Sequence, residues 1–352
     1  MLLVGTAKGL FRFRSHDRRV WSVEGPDFAQ TPCYTAVLDP RSGVLFAGVN
    51  SEFYGPSIRR SRDFGRTWDA GIVPSYGSDD EEKVTRIWAI TPAGDDEPGT
   101  LYAGVEASGL FRSVDGGDSW SEVASLRRHP THELWGPGNG GKCLHTVLAA
   151  DDGTIYTACS AGGAYRTKDA GESFLPINAG IEARFLPEGQ RYPEAGQCVH
   201  KIDVCRADPA RLWMQNHGGV YRSDDGGDTW HEVGRSLPGD FGFPIVAHPG
   251  DPDAAYVIPL QSDEKRWAQG TLGVWGTKDA GATWQPLAAG LPPTSYATVL
   301  RDAMDDDGQD ALGLYFGTTS GSVYASADGG RHWQEIAAHL PRVFSVKAAA
   351  IR

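Results

Sequence analysis

An eight-residue pattern recurs along this chain and limits the folds that the chain can adopt. It reads Ser-Asp-Asp-Gly-Gly-Asp-Thr-Trp at its clearest, and variants of it occupy residues 61–68, 113–120, 167–174, 223–230, 277–284 and 326–333. Successive copies begin 49 to 56 residues apart, and a shortened copy lies at 15–21. A repeat of this period predicts the blades of a propeller.

The residue types of the pattern are those of a tight hairpin turn. A carboxylate such as that of Asp115 accepts backbone N–H bonds within a turn, and Gly117 permits a positive φ. Trp120 closes the copy with a large apolar surface. The pattern resembles the Asp-box, or BNR repeat, of sialidases, sortilin-type receptors and related propellers. In those relatives the boxes lie away from the active site, so the resemblance implies a structural role here.

Four short strand-like segments accompany each box. Around the second copy they are residues 84–92, 101–105, 109–112 and 119–123, and seven inner runs like the first of these can be counted. The sequence therefore predicts an all-β fold, a seven-bladed β-propeller of four-stranded antiparallel blades that occupies 1–352 as one domain. The N-terminal segment 2–23 supplies three strands of one blade and 343–349 the fourth, so the ring is predicted to close there.

Composition and charge exclude several classes of partner. The formal net charge is −12 and no run of Lys or Arg occurs, so we expect neither nucleic acid nor a membrane surface as a partner. No stretch is apolar for the ~18 residues that a transmembrane helix needs. The first residues lack the features of a secretion signal, and five cysteines do not suggest a disulfide framework. These features predict a cytoplasmic protein.

Candidate site residues gather at one end of the predicted propeller, the end at which the inner strands begin. Long loops at 124–142, 178–197 and 260–270 belong to that end, where function is usually carried. Aligning the inner runs places Arg86, His145 and His200 at equivalent positions, with cysteines two residues before each histidine, at 143 and 198.

A divalent metal ion is the predicted cofactor of this end. Imidazoles of His145, His200 and His217, with the amide of Gln215 or a carboxylate, would hold the ion and leave coordination positions open. Three histidines and a glutamine on a propeller resemble the site of oligogalacturonate lyases, which implies a lyase or hydrolase. Alternatively, the histidines form hydrogen bonds between blades. For Cys143 and Cys198, the alternatives are metal ligands, a redox pair or buried filler.

The remaining site predictions concern a small anionic or carbohydrate-like substrate. Arg86 would bind an anionic group, and Lys201 or Glu133 would transfer protons. Asn216, Trp88 and Trp135 would contact the substrate. The stretch 213–223, with its Gln-Asn-His-Gly-Gly, also resembles uncharacterised bacterial sialidase-like proteins, which supports a shared pocket without assigning a reaction.

Two other functions stay open at this point. The boxes resemble those of sialidases, but the Phe-Arg-Ile-Pro stretch of those glycoside hydrolases has no good match here. Arg112, Arg166 and Arg222 resemble a sialidase arginine triad, yet each directly precedes a box, which favours a role in the repeat. The second alternative is a non-catalytic scaffold that binds a protein or ligand through Trp88, Trp135 and Trp267.

Overall fold

The computed structural model describes residues 1–77, 81–138, 141–260 and 270–350. In these ranges the regular secondary structure is almost entirely strand, with one short α-helix, α1 (Ala124–Arg127), and one 3-10 helix (His132–Leu134), and turns and loops connect these elements. No helix of the described ranges has the length and apolar character needed to cross a membrane. The strands are β1 (Leu2–Thr6), β2 (Gly9–Arg14), β3 (Ser22–Asp27), β4 (Cys33–Leu38), β5 (Leu45–Ser51), β6 (Gly55–Ser61), β7 (Arg86–Pro92), β8 (Leu101–Glu106), β9 (Leu110–Ser113), β10 (Ser121–Glu122), β11 (Cys143–Ala149), β12 (Ile155–Ser160), β13 (Gly163–Thr167), β14 (Leu175–Pro176), β15 (Val199–Val204), β16 (Leu212–Asn216), β17 (Gly219–Ser223), β18 (His231–Glu232), β19 (Phe241–Ala247), β20 (Ala255–Leu260), β21 (Val274–Thr277), β22 (Gln285–Leu287), β23 (Met304–Asp306), β24 (Leu314–Gly317), β25 (Val323–Ser326), β26 (Gln334–Ala337) and β27 (Val343–Ala348).

These strands form antiparallel sheets of consecutive strands, as predicted. Four sheets have four strands each, in the orders β27-β1-β2-β3, β15-β16-β17-β18, β19-β20-β21-β22 and β23-β24-β25-β26. Strands β4-β5-β6 form a fifth sheet, and β7 to β14 form an eight-stranded sheet in which a single residue pair, Cys143 with Glu106, links two groups of four. The predicted all-β fold is thus confirmed. We call β4, β7, β11, β15, β19, β23 and β27 the inner strands.

The chain ends meet in one sheet. β1 pairs with β27 from Leu2 opposite Ala348 to Thr6 opposite Val343. Leu2, Val4, Val343 and Val346 are buried in the same hydrophobic cluster. The pairing that the sequence predicts between the first and last strands is therefore present.

Each box is a turn held by its own aspartate. Asp115 accepts bonds from the backbone N–H of Ser119 (2.9 Å) and from the hydroxyl groups of Ser119 (2.6 Å) and Ser113 (2.7 Å). These bonds, led by that of the Ser119 hydroxyl, lower the pKa of Asp115 to about 2. The same bonds recur at Asp63 and Asp225. The structural role implied by the Asp-box resemblance agrees with this bonding.

Side chains at the ends of several boxes join neighbouring sheets. The indole N–H of Trp230 donates to the carbonyl oxygen of Ile177 at 2.8 Å. In the other direction, Arg166 donates to the carbonyl oxygen of Gly226, in the next box, at 2.7 Å. Arg222 bonds in the same way to Ala280 O. Both arginines are thus part of the repeat, as their positions before the boxes predict.

Candidate functional site at the start of the inner strands

Six inner strands share an irregularity at the point where they begin. Their pairing with the second strand of the sheet shifts there, which leaves one residue of each inner strand unpaired, or two in β19. The unpaired residues are Phe344, Tyr34, Trp88, His145, His200 and, in β19, Phe243 and Pro244. A β-bulge re-aims the side chain that it carries. These six positions are therefore structural equivalents, and they form the site described below.

The register corrects one sequence alignment. Ile87, Leu144 and Val199 are each the last paired residue before the shift, so Trp88 is the counterpart of His145 and His200. The predicted equivalence of Arg86 with these histidines is wrong by two residues. An offset of two keeps the alternation of faces along a strand intact, which is why the sequence pattern did not reveal it.

Aromatic rings from four inner strands form a series of contacts that includes one guanidinium group. The rings of Tyr34 and Phe344 stack with centroids 4.3 Å apart, and Trp88 meets Tyr34 edge to face at 4.8 Å. The guanidinium carbon of Arg301 lies 5.9 Å from the ring centres of both Trp88 and Phe243. We call these five residues the aromatic cluster. It combines stacking surfaces with a cation.

A second arginine and a carboxylate border the aromatic cluster. Arg86 forms an ion pair with Glu106 at 2.9 Å, and 40% of its side chain is exposed. The indole N–H of Trp88 donates to the same carboxylate at 3.3 Å. The guanidinium carbon of Arg86 also lies 5.9 Å from the centre of Tyr34. Arg86 and Trp88, predicted to contact substrate, are thus brought together at a partly exposed place.

Two of the three predicted histidine ligands meet next to this cluster. One ligand atom each of Cys198, His200 and His217 lie within 4.8 Å of one another. The Nδ1 atom of His200 bonds to the carbonyl oxygen of Gly242, and its Nε2 atom lies 3.7 Å from the Cys198 sulfur. The His200 ring also stacks on Phe243 at 4.9 Å.

His145 and Gln215 have other partners. His145 is fully buried, with Nε2 3.1 Å from both Ser160 Oγ and Val199 O, and Nδ1 3.0 Å from Thr146 Oγ1. Burial first, and then the charge of Arg301, lower the pKa of His145 well below its usual value. The Gln215 amide group donates to backbone oxygens, among them Asn216 O at 2.8 Å. The hydrogen bond to Val199 joins β11 to β15, which is the alternative role considered for the histidines.

The other predicted residues are more scattered. Lys201 is buried in an ion pair with Asp302, whereas Glu133 is exposed in the 3-10 helix. Asn216 is buried, with its amide nitrogen 3.4 Å from Gln197 Oε1. Trp135 exposes only 3% of its surface and donates to the Tyr165 hydroxyl at 2.7 Å, so its position does not support substrate contact. Trp267 lies outside the described residues.

Four of the five members of the aromatic cluster were missed in the sequence analysis. Tyr34, Phe243, Phe344 and Arg301 were not singled out, although the three aromatic residues lie near the front of inner runs. A comparison of every inner run at the position of Trp88 would have found the three aromatic residues, since they share the bulge. Arg301 precedes β23 and has no such signal.

Comparisons with known proteins support a propeller. A family model of sortilin, neurotensin receptor 3 (Sortilin-Vps10), matches residues 218–349. A xyloglucanase of Paenibacillus sp is 27% identical over 239 residues, which are 56% of this chain and 21% of that protein. Xyloglucanase Xgh74A of Acetivibrio thermocellus is 23% identical over 236 residues, which are 56% of this chain and 26% of that protein. The chain thus spans about a fifth to a quarter of the curated relatives that it matches.

Two of the solved structures that match resemble nearly the whole chain. The GH74 xyloglucanase from Xanthomonas campestris superposes with a TM-score of 0.67 at 16% identity, over 96% of this chain and 52% of that one. YCF48 from Cyanidioschyzon merolae superposes with a TM-score of 0.55 at 14% identity, over 92% of this chain and 87% of that one. At such identities the likeness concerns the fold alone. The chain therefore has an all-β, Asp-box propeller fold.

Proposed function

We propose that this chain is a seven-bladed propeller whose ring closes between β1 and β27, and that it binds a saccharide at the aromatic cluster. The sheet orders support the blade count, because the eight-stranded sheet divides into two groups of four at the single pair Cys143–Glu106. The similarity to xyloglucanases supports a glycan as the substrate and hydrolysis as the reaction. It gives no support to the elimination reaction of a lyase.

The packing of Trp88 with Tyr34 and Arg86 is the observation that carries the proposal. Sugar rings offer apolar C–H faces to aromatic side chains, and their hydroxyl groups accept and donate hydrogen bonds. Trp88 is half-buried and supplies such a face. Arg86, whose side chain is 40% exposed, supplies hydrogen-bond donors. Arg86 would equally bind a carboxylate on an acidic sugar through paired hydrogen bonds.

Glu106 is the carboxylate that we propose for proton transfer. It contacts both Trp88 and Arg86, so a sugar stacked on Trp88 would lie next to it. Glycosidases use a pair of carboxyl groups, one as general acid. Lys201, which was predicted to transfer protons, is buried in its ion pair with Asp302. Glu133, exposed in the 3-10 helix, is the residue that we propose for the second carboxyl group.

Titration calorimetry with xyloglucan oligosaccharides tests the saccharide site. We expect the Trp88→Ala variant to bind at least about tenfold more weakly, equivalent to ~1.4 kcal/mol. Leu175→Ala is the matched control, because Leu175 is also an exposed apolar residue but lies in the outer strand β14. Equal affinity of the wild-type protein and Trp88→Ala, or no binding of any of the glycans by the wild type, would contradict the proposal.

A protein-binding scaffold is the second candidate function. Among the described residues, the strongly exposed aromatic side chains are Phe53, Tyr54, Phe185, Tyr192 and Tyr296. All five lie on connections from second to third or from fourth to inner strands, at the same end as the aromatic cluster. Aromatic residues commonly anchor interfaces. Binding of a partner that Phe53→Ala/Tyr54→Ala abolishes and Trp88→Ala leaves unchanged would favour this candidate.

A further inference from the structure

We infer that Cys198, His200 and His217 form a binding site for a thiophilic divalent metal ion of the Zn²⁺ type. The inference goes beyond saccharide binding and does not depend on it. It changes the donor set predicted from the sequence, since a thiolate replaces the imidazole of His145 and the amide of Gln215. The three ligand atoms already lie within 4.8 Å of one another.

The distance between the first two ligand atoms agrees with that of a tetrahedral site. Zn–S and Zn–N bonds of about 2.3 and 2.1 Å at a tetrahedral angle separate the two ligand atoms by roughly 3.6 Å. The Cys198 sulfur and His200 Nε2 are 3.7 Å apart. Little movement of these two side chains is thus needed to bind the ion.

Hydrogen bonding fixes the ring of His200 in the orientation that a metal requires. Its Nδ1 atom contacts the carbonyl oxygen of Gly242, an acceptor, so Nδ1 must carry the proton. In the neutral imidazole the lone pair then resides on Nε2, the atom near the Cys198 sulfur. Metal-binding histidines generally donate their second nitrogen in this way.

Hydrogen bonds of its backbone hold His217 next to Cys198 and His200. Its backbone N–H donates to Cys198 O at 3.0 Å and to Asn216 Oδ1 at 2.8 Å. The third ligand therefore lies on the turn that follows β16, directly beside β15, which carries His200 and begins one residue after Cys198. The role of Asn216 in this arrangement is to position the turn.

Phenylalanine rings pack against the two histidine ligands. Phe241 lies 5.1 Å from the ring centres of both His200 and His217, and Phe185 lies 6.1 Å from that of His217. An apolar surrounding strengthens the attraction between a thiolate and a cation, because it excludes water. Three protein ligands leave the fourth position of a tetrahedral ion open to water or substrate.

The chemistry of the ligands selects the ion. One thiolate and two imidazoles suit Zn²⁺ and Co²⁺ and suit Mg²⁺ poorly, since Mg²⁺ prefers oxygen ligands. With a thiolate the site would carry a net charge of +1, so the open position favours an anion or hydroxide.

Cobalt spectroscopy of tag-free protein tests the site. After treatment with a chelator and a reductant, we expect one equivalent of Co²⁺ to produce a thiolate-to-cobalt charge-transfer band, which Zn²⁺ removes and excess Mg²⁺ does not. Cys198→Ser should abolish the band, and His217→Ala should weaken Co²⁺ affinity at least about tenfold. His231→Ala is the control, because His231 is exposed in the outer strand β18.

The outcomes separate this inference from the saccharide proposal. Absence of the band, or a band that persists in Cys198→Ser, overturns the metal site. Thermal unfolding of the metal-free variants establishes that each is folded when it is titrated. Trp88→Ala should keep the cobalt band, so a protein with the band but without saccharide affinity would refute only the proposed function.

Discussion

Lys201 and Asp302, 101 positions apart in sequence, form an ion pair in which the side chains are only 8% and 12% exposed. The pair connects β15 to the segment that precedes β23. Lys347 in β27 bonds to Asp305 at 3.3 Å, and the Val346 amide bonds to Asp302 O at 2.8 Å. Ion pairs and a backbone hydrogen bond therefore hold together inner strands that are distant in sequence.

Removing one partner of this ion pair is expected to destabilise the protein strongly. Lys201→Met leaves the Asp302 carboxylate buried without its cation, which typically costs about 3–5 kcal/mol. The double variant Lys201→Met/Asp302→Leu should recover most of that loss, because no charge is left unpaired. Urea unfolding of the two single variants and the double variant measures this. Equal losses in Lys201→Met and in the double variant would show that the pair itself is not the cause.

His145 is expected to make stability depend on pH below neutrality. Its pKa is lowered in the folded protein by burial and then by the charges of Arg301, His200 and Lys201, while the unfolded value is about 6.5. The unfolded chain therefore takes up the proton first. Stability from this residue is present above pH ~6.5 and falls by up to about 1.4 kcal/mol per pH unit below it.

His145→Gln isolates this contribution. Other histidines with lowered pKa values, including His129 and His248, act in the same direction and stay in the variant. We therefore expect a smaller slope of unfolding free energy between pH 7 and 5 in His145→Gln than in the wild type. Parallel slopes, measured by urea unfolding in the presence of a chelator, would contradict the prediction.

The boxes are expected to lose their contribution to the stability of the fold together at acid pH. Hydrogen bonds lower the pKa values of Asp63 and Asp115 to about 2, below the unfolded value of about 3.9. Their contribution to stability is complete above pH ~4 and is lost as the pH falls toward 2. The midpoint of thermal unfolding should therefore drop steeply across this interval.

Asp115→Asn should lower the midpoint at pH 5 and flatten its dependence on pH below 4. Asp310→Asn is the control, since Asp310 is exposed on a loop outside the boxes. If both variants follow the wild-type curve in parallel, the box aspartates do not determine the acid sensitivity.

The tryptophans that end the boxes are expected to stabilise the protein both through the volume of their rings and through one hydrogen bond. Trp284 is 4% exposed, packs edge to face on Trp213 and donates to Val233 O at 2.8 Å. Trp284→Ala should cost about 3–5 kcal/mol and Trp284→Phe about 1–3 kcal/mol. Phe174 holds the equivalent position in the third box, so a phenylalanine fits the turn. Equal unfolding free energies of the two variants would exclude a role for the ring volume.

The repeat was predictable because its determinants are local. Asp115, Ser113 and Ser119 bond to one another within seven residues, so the turn can be recognised from the order of side chains. The predicted pairing of β1 with β27 followed from counting strands on either side of each box. The seven blades and the closed ring stay predictions, and they rest on the same count of strands.

The site was only partly predictable because its members come from different strands. His200 and His217 were recognised through a cysteine two residues earlier and a neighbouring amide, and they do lie together. Arg86 was aligned two residues out of register, and Lys201, proposed for proton transfer, is in a buried ion pair. Neither a bulge nor an ion-pair partner 101 residues away can be recognised from the spacing of neighbouring residues in the sequence.

The sequence by itself determined the boxes, the strands around them and the end of the propeller at which candidate residues gather, because turn chemistry and strand alternation act over a few residues. Only the tertiary structure decided that Cys198 accompanies His200 and His217, that His145 bonds to Val199, and that Trp88 packs with Tyr34 and Arg301. Those contacts depend on the register of each inner strand and on the distance between strands from separate sheets. Both are set by packing of the whole chain.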